Sequence, residues 1–189
     1  MKRRRPPHIP LRKPIYVGCE GASEAGYAAL LRDMAIAAGG HVHVHVEQLG
    51  PGAGDPLARI EMAVGRITRL KRTRETFAAR FAFVDEDQAE RDPVRAGLAR
   101  SLAEENDIKI IWQRPCFEAV LLRHLPERAT HRPPSSPNAL RALVREWPDY
   151  EKPLGRVALA RRIDLNGVLR AAAVEPELAA LLRVLGLLA

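Results

Sequence analysis

No stretch of this 189-residue sequence approaches the ~18–20 consecutive apolar residues that a membrane span needs, so a soluble chain with no membrane partner is expected. A basic N-terminal stretch is present without an apolar segment after it, which does not read as a secretory signal. Only two cysteines occur, Cys19 and Cys116, with no CxxC pair. That usage suits a reducing cytoplasm and argues against a disulfide scaffold or a zinc finger. A Walker-type GxxxxGK[ST] loop is missing, so any ATP dependence would have to come from another protein. There is no internal repeat.

Acidic residues are missing from positions 1–14, which hold Lys2, Arg3, Arg4, Arg5, Arg12 and Lys13. Of the 30 Lys and Arg, setting those six aside leaves 24 against 23 Asp and Glu, so the net charge of +7 belongs to the tail and the body is close to neutral. Such a tail can touch phosphate backbones by releasing counterions, but its plain reading is a Pro-broken leader, residues 1–13.

What is present is a strand–helix rhythm. Ile15–Cys19 reads as a buried strand, followed by a turn at Glu20-Gly21 and a helix of about 24–38 with Ser23 as its cap. Residues 41–47 alternate His and Val and predict a second strand. Asp55-Pro56 opens a helix in which Ile60, Val64, Ile67 and Leu70 share a face. Phe81–Val84 is a third strand, a helix spans about 93–105, and Ile108–Trp112 is a fourth strand. This order predicts βαβ units and a mostly parallel four-stranded α/β sheet, flanked by helices, over residues 14–125. Residues 126–189 turn helical, near 138–147, 155–169 and 176–188, and are expected to pack on that core.

Two of the predicted strands end in carboxylates, Glu20 after Cys19 and Asp85 after Val84. Ligands of open α/β sheets bind outside the carboxyl ends of the strands. In an extended segment Asp85 and Asp87 point to the same side. Three carboxylates meeting at one edge repel one another unless a hard cation lies between them, and Mg²⁺ is commonly held by one or two carboxylates with waters and substrate phosphate oxygens. The competing reading is acidic residues that cap the next helix.

The order strand–Glu20-Gly21-x-x-Glu24, then strand–Asp85-x-Asp87, resembles the Toprim domain of topoisomerases, primases and OLD-type nucleases. Arg114-Pro115-Cys116-Phe117-Glu118-Ala119-Val120-Leu121-Leu122-Arg123-His124 is similar to the N-P-x-F-E-x-W-L-L-x-H segment of the RloB-like family, and Tyr150-Glu151-Lys152 to its Tyr-x-Lys segment. Arg114 stands where that family has Asn, and Ala119-Val120 replaces an aromatic-containing pair. The resemblance implies a Mg²⁺- or Mn²⁺-dependent nuclease in a bacterial defence system, acting on DNA or RNA. It implies Glu20, Asp85 and Asp87 as metal-site residues, Glu118 as a supporting acid and Lys152 as a phosphate-facing cation. A protein from the same defence locus and further copies of the chain are partners it leaves open.

Other residues read more plainly. His41, His43 and His45 share one strand face, but same-face neighbours nearly 7 Å apart do not converge on one ion without a bend, so they predict a polar stripe with Val42, Val44 and Val46 in the core. Arg66, Arg69, Lys71, Arg72 and Arg74 crowd one helix end; a solvated face is the default, and a nucleic-acid surface including Arg114 follows only if the acidic site is real. Glu118, on an apolar helix, needs a partner: Lys152, Arg114 or an ion on one reading, Arg123 or His124 on the other. Two rival functions remain: a non-catalytic nucleic-acid- or protein-binding module, and a primase-like nucleotidyl transferase.

Overall fold

Among the described residues four short segments form the strands, apolar runs in β1 (Lys13–Cys19), β3 (Ala79–Asp85) and β4 (Lys109–Gln113) and a His/Val alternation in β2 (Val42–Gln48). The structure, a computed structural model, describes residues 12–50, 55–72 and 76–189. Most of the basic leader therefore lies outside the described residues, as does Arg74, and Lys13 belongs to β1 rather than to the leader.

All strand pairs are parallel, in the order β2-β1-β3-β4. Parallel strands covered on both faces read as near-continuous apolar runs, which is how β1 and β3 are written. Ile15, Val17, Cys19, Phe81, Phe83 and Ile111 face one cluster, while Tyr16, Ala82, Val84 and Trp112 face the other. The architecture is the expected α/β one, with helices on both faces and a helical C-terminal part.

Helix α1 (Ala22–Ala37) covers the first face, and α2 (Pro56–Lys71) and α4 (Pro93–Glu105) cover the second. Both helices of the second face start at an Asp-Pro pair. Asp55 accepts from the Leu57 N–H at 3.0 Å and Asp92 from the Arg95 N–H at 3.0 Å, while proline's fixed φ suits the first helical position. Helices α5 (Phe117–His124), α6 (Ser136–Glu146), α7 (Arg156–Ala160), α8 (Leu165–Ala172) and α9 (Pro176–Leu185) extend the first face. Leu143, Trp147, Leu159, Val168 and Leu182 belong to the same apolar cluster as β1 and β3, so the C-terminal helices share the core of the sheet. No helix among the described residues is long and apolar enough to cross a membrane.

Three local readings change. Ser23 does not cap α1: Gly21 occupies that position, and Ser23 lies in the first turn with its Oγ accepting the Leu154 N–H at 3.0 Å. The helix expected over 155–169 is two helices, because Asp164 caps a new one by accepting the Gly167 N–H at 2.7 Å. Glu86–Arg91 forms a short helix, α3, that apolar periodicity did not reveal.

Candidate metal centre

The strand order sends the chain from β1 outward to β2 and then back across to β3, so the crevice between the carboxyl ends of β1 and β3 is the topological switch point. Glu20 and Asp85 sit on either side of it. Glu20 Oε2 accepts the Asp85 backbone N–H at 3.1 Å, and Oε1 lies 3.4 Å from the buried Arg59 guanidinium in the first turns of α2. Two oxygens of one side chain thus tie the β1 end to β3 and to α2.

Asp85 and Asp87 do not lie side by side on an extended strand as the sequence suggests. Asp85 ends β3 and is the N-cap of α3, whereas Asp87 lies in that helix's first turn. There the Asp87 N–H donates to the Pro115 carbonyl at 3.0 Å, and its Oδ2 accepts the Ser136 hydroxyl at 2.6 Å. Both carboxylates nevertheless line one cleft of about 330 Å³ with Glu118 and Ser136. That cleft adjoins a second of about 340 Å³ lined by Glu20, Gly21, Glu24 and Asp85, and Lys152 borders both.

Glu24 is the functional-site candidate that spacing alone understated. Its carboxyl is buried in the first turn of α1, and a Cβ on Gly21 would come within 2.9 Å of Glu24 Oε2, so glycine there makes the room it occupies. Burial raises the Glu24 carboxyl above the usual range; its own backbone N–H and Lys152 oppose this, while Glu20 and Glu118 add to it.

Lys152 reaches the crevice on a loop pinned to α1. Besides the Ser23 bond, Gly26 allows a close approach, since a Cβ there would lie 2.4 Å from the Leu154 carbonyl oxygen. Lys152 forms an ion pair with Glu118, which also accepts the Tyr150 hydroxyl at 2.9 Å. Of the partners weighed for Glu118, Lys152 is the one found. Burial would raise the Glu118 carboxyl, but the hydrogen bond and charge of Lys152 outweigh it and hold the group below its ordinary value. The same contact outweighs burial in Lys152, whose pKa is raised.

Among the described residues, five carboxylates, Glu20, Glu24, Asp85, Asp87 and Glu118, gather here, and the cations paired with them are Lys152 and Arg59. Asp85 bears the consequence: burial, then the charges of Glu20, Glu24, Asp87 and Glu118, push its carboxyl up to about 9. Oδ1 of Asp85 and Oδ1 of Asp87 are buried without a hydrogen-bond partner. Among the described residues, no three His, Cys, Asp or Glu side chains close around a common point as an all-protein metal cage does. Mg²⁺ does not need one, because it keeps several waters and takes one or two carboxylates. Two unpartnered carboxylate oxygens in an over-negative crevice fit such a hard cation.

The other residues singled out lie elsewhere. Arg59, near the start of α2, is beside Glu20, and at 1.5 Å per residue Arg72 lies roughly 20 Å further along the axis. Arg66, Arg69, Lys71 and Arg72 are therefore at the far end of α2 and take no part in the crevice; Arg66 faces Glu47 at 4.0 Å. Arg114 is near the crevice but engaged, with Glu86 at 3.2 Å, Glu177 at 3.0 Å and Glu175 at 3.7 Å. Val42 and Val44 are buried on β2, while His43 and His45 stack edge to face at 4.4 Å on this outermost strand. Cys19 and Cys116 are buried thiols whose pKa values are raised, by burial first, Cys116 to about 12; neither is an activated nucleophile.

Fold and site together define an α/β protein with a parallel sheet and a carboxylate-rich crevice at its switch point. No family model, curated protein or solved structure matches the chain.

Proposed function

We propose that the chain is a Mg²⁺- or Mn²⁺-dependent nuclease that cleaves nucleic-acid phosphodiester bonds, as the effector of a bacterial defence system of the RloB-like kind. The observation that carries this reading is the pair of buried, unpartnered oxygens on Asp85 and Asp87, two residues that line a crevice with more carboxylate than cation. Asp85, Asp87 and Glu20 are the residues that would hold the cation. When bound, it supplies an activated water and neutralises charge on a phosphoryl group.

The chain's own groups do the rest. Arg59 and the Asp85 N–H fix the Glu20 carboxylate, and Ser136 fixes one oxygen of Asp87 and leaves the other without a protein partner. Lys152, half exposed at the rim, is the cation available to an incoming phosphate, and Glu118 with Tyr150 sets where it waits. The basic end of α2 is distant, so among the described residues nucleic-acid contact near the crevice falls to Lys152 and to Arg91, which lines a neighbouring cleft with Asp87 and Ser136.

The test is a calorimetric Mn²⁺ titration of the purified chain beside the Asp85→Ala/Asp87→Ala double variant, with folding checked by circular dichroism. Saturable binding lost in the variant supports the reading, and a Mn²⁺-dependent cleavage assay then decides the activity. Equal or absent binding in both favours a non-catalytic binding module, the second reading.

A further inference from the structure

Gln113 ends β4 with a side chain that is 0% exposed, and neither its carboxamide oxygen nor its nitrogen has a hydrogen-bond partner. Buried amides are costly without partners, and almost all of them find one, ordered water included. The strand register pairs Gln113 with Asp85. Neighbouring strands run about 4.8 Å apart, and alternation along a strand puts both side chains on the face that carries Phe83 and Ile111. Asp85 Oδ1 is likewise buried and unpartnered, and the two side chains are not bonded to each other. In-register neighbours that each keep unmet polar atoms make the kind of site a single buried water fills, since it needs two to four polar partners.

We propose that Gln113 is a positioning residue for Asp85: its carboxamide and one lone pair of Asp85 Oδ1 share a buried water, which fixes the orientation of the carboxylate and leaves its remaining lone pairs to a cation. The inference deepens the cation reading and rests on it for its consequence. A carboxamide suits the place because it adds no further charge to five carboxylates. It also both donates and accepts, so it serves Asp85 with or without a cation. Groups that orient a ligand in this way commonly change metal affinity 10–100-fold when removed.

Gln113→Met keeps the length of the side chain and removes its polar atoms. In metal-free urea unfolding, wild type, Gln113→Met, Asp85→Asn and the double variant form a cycle. A shared water predicts midpoint shifts that do not add; additive shifts overturn the proposal whatever the metal does. In Mn²⁺ calorimetry, Gln113→Met is expected to bind about 10–100-fold more weakly. Its melting temperature should fall modestly while the fold is kept, because the shared water loses the carboxamide and Asp85 Oδ1 loses a fixed partner. Wild-type affinity in Gln113→Met overturns the positioning role. A wild type that takes up no Mn²⁺ ends the cation reading instead, and the unfolding cycle still decides for or against Gln113.

Discussion

Glu20 Oε2 accepts the backbone N–H of Asp85 at 3.1 Å, joining two residues 65 positions apart at the ends of adjacent strands. Glu20 is therefore a structural tie, whatever its part in the proposed cation site. Glu20→Ala removes a charged acceptor and leaves buried Arg59 without its carboxylate, at a cost of about 2 kcal/mol. Urea unfolding measures it; a loss under 0.5 kcal/mol would mean the tie contributes little.

Asp85 behaves in the opposite sense. Burial and four neighbouring carboxylates disfavour its ionised form, so the neutral, nearly isosteric Asp85→Asn is expected to melt at or above the wild-type temperature without metal. Mn²⁺ binding should vanish in the same variant. A lower melting temperature would show that Asp85 holds the fold rather than a ligand.

The first two positions were the most legible part of the site, because a carboxylate directly after a buried strand is visible in the one-letter string. What surrounds them was not. Glu86–Arg91 buries only Ala89, so α3 has no apolar stripe to announce it, and Asp87 was read as strand-like. Arg59 looks like one more base on an arginine-rich helix until the fold sets it beside Glu20. Ser136 and Gln113 are neutral and carry no charge pattern. The strands fared better, since a sheet covered on both faces must be written in apolar runs. The split between α7 and α8 lay hidden because Asp164 is a cap only once the preceding turn has closed.

A second network lies behind the crevice. Arg123 is fully buried, 2.8 Å from Glu175, and donates to the Arg114 carbonyl; Arg114 in turn holds Glu86, Glu175 and Glu177. Arg123→Met removes the nearest cation from the buried Glu175 carboxylate, which keeps Arg114 at 3.7 Å and Arg132 at 3.8 Å, and should cost about 2–3 kcal/mol. Adding Glu175→Gln should recover much of that, because the under-compensated charge goes with it. A double-mutant cycle in urea gives the answer, and strict additivity would sink the pairing.

His124 contributes a pH dependence opposite in sign to that of Asp85, whose raised carboxyl favours the fold at low pH. A carbonyl only accepts, so the His124 Nδ1–H donates to Val120 O at 2.7 Å, and Nε2 accepts the Tyr27 hydroxyl at 2.7 Å. The ring is thereby neutral, and burial depresses its pKa to about 4 from an ordinary 6.5, with the Val120 bond opposing. A depressed folded value means the stabilisation is complete above pH 6.5 and is lost as pH falls from there through 4. The loss is on the order of 3 kcal/mol, at about 1.4 kcal/mol per pH unit. Thermal melts between pH 7 and 5 should fall more steeply for wild type than for His124→Gln; equal slopes would assign the effect to other groups.

The loop that carries Lys152 has a consequence in time. Lys152 lies 67 residues beyond Asp85, so at ribosomal speeds it is made roughly 3–13 s later. During that interval the nascent chain holds Glu20, Asp85 and Asp87 without the lysine that offsets their charge, and Ser136, which steadies Asp87, is also still to come. The complete crevice is therefore a late product of synthesis, assembled only when the last third of the chain folds back over the first.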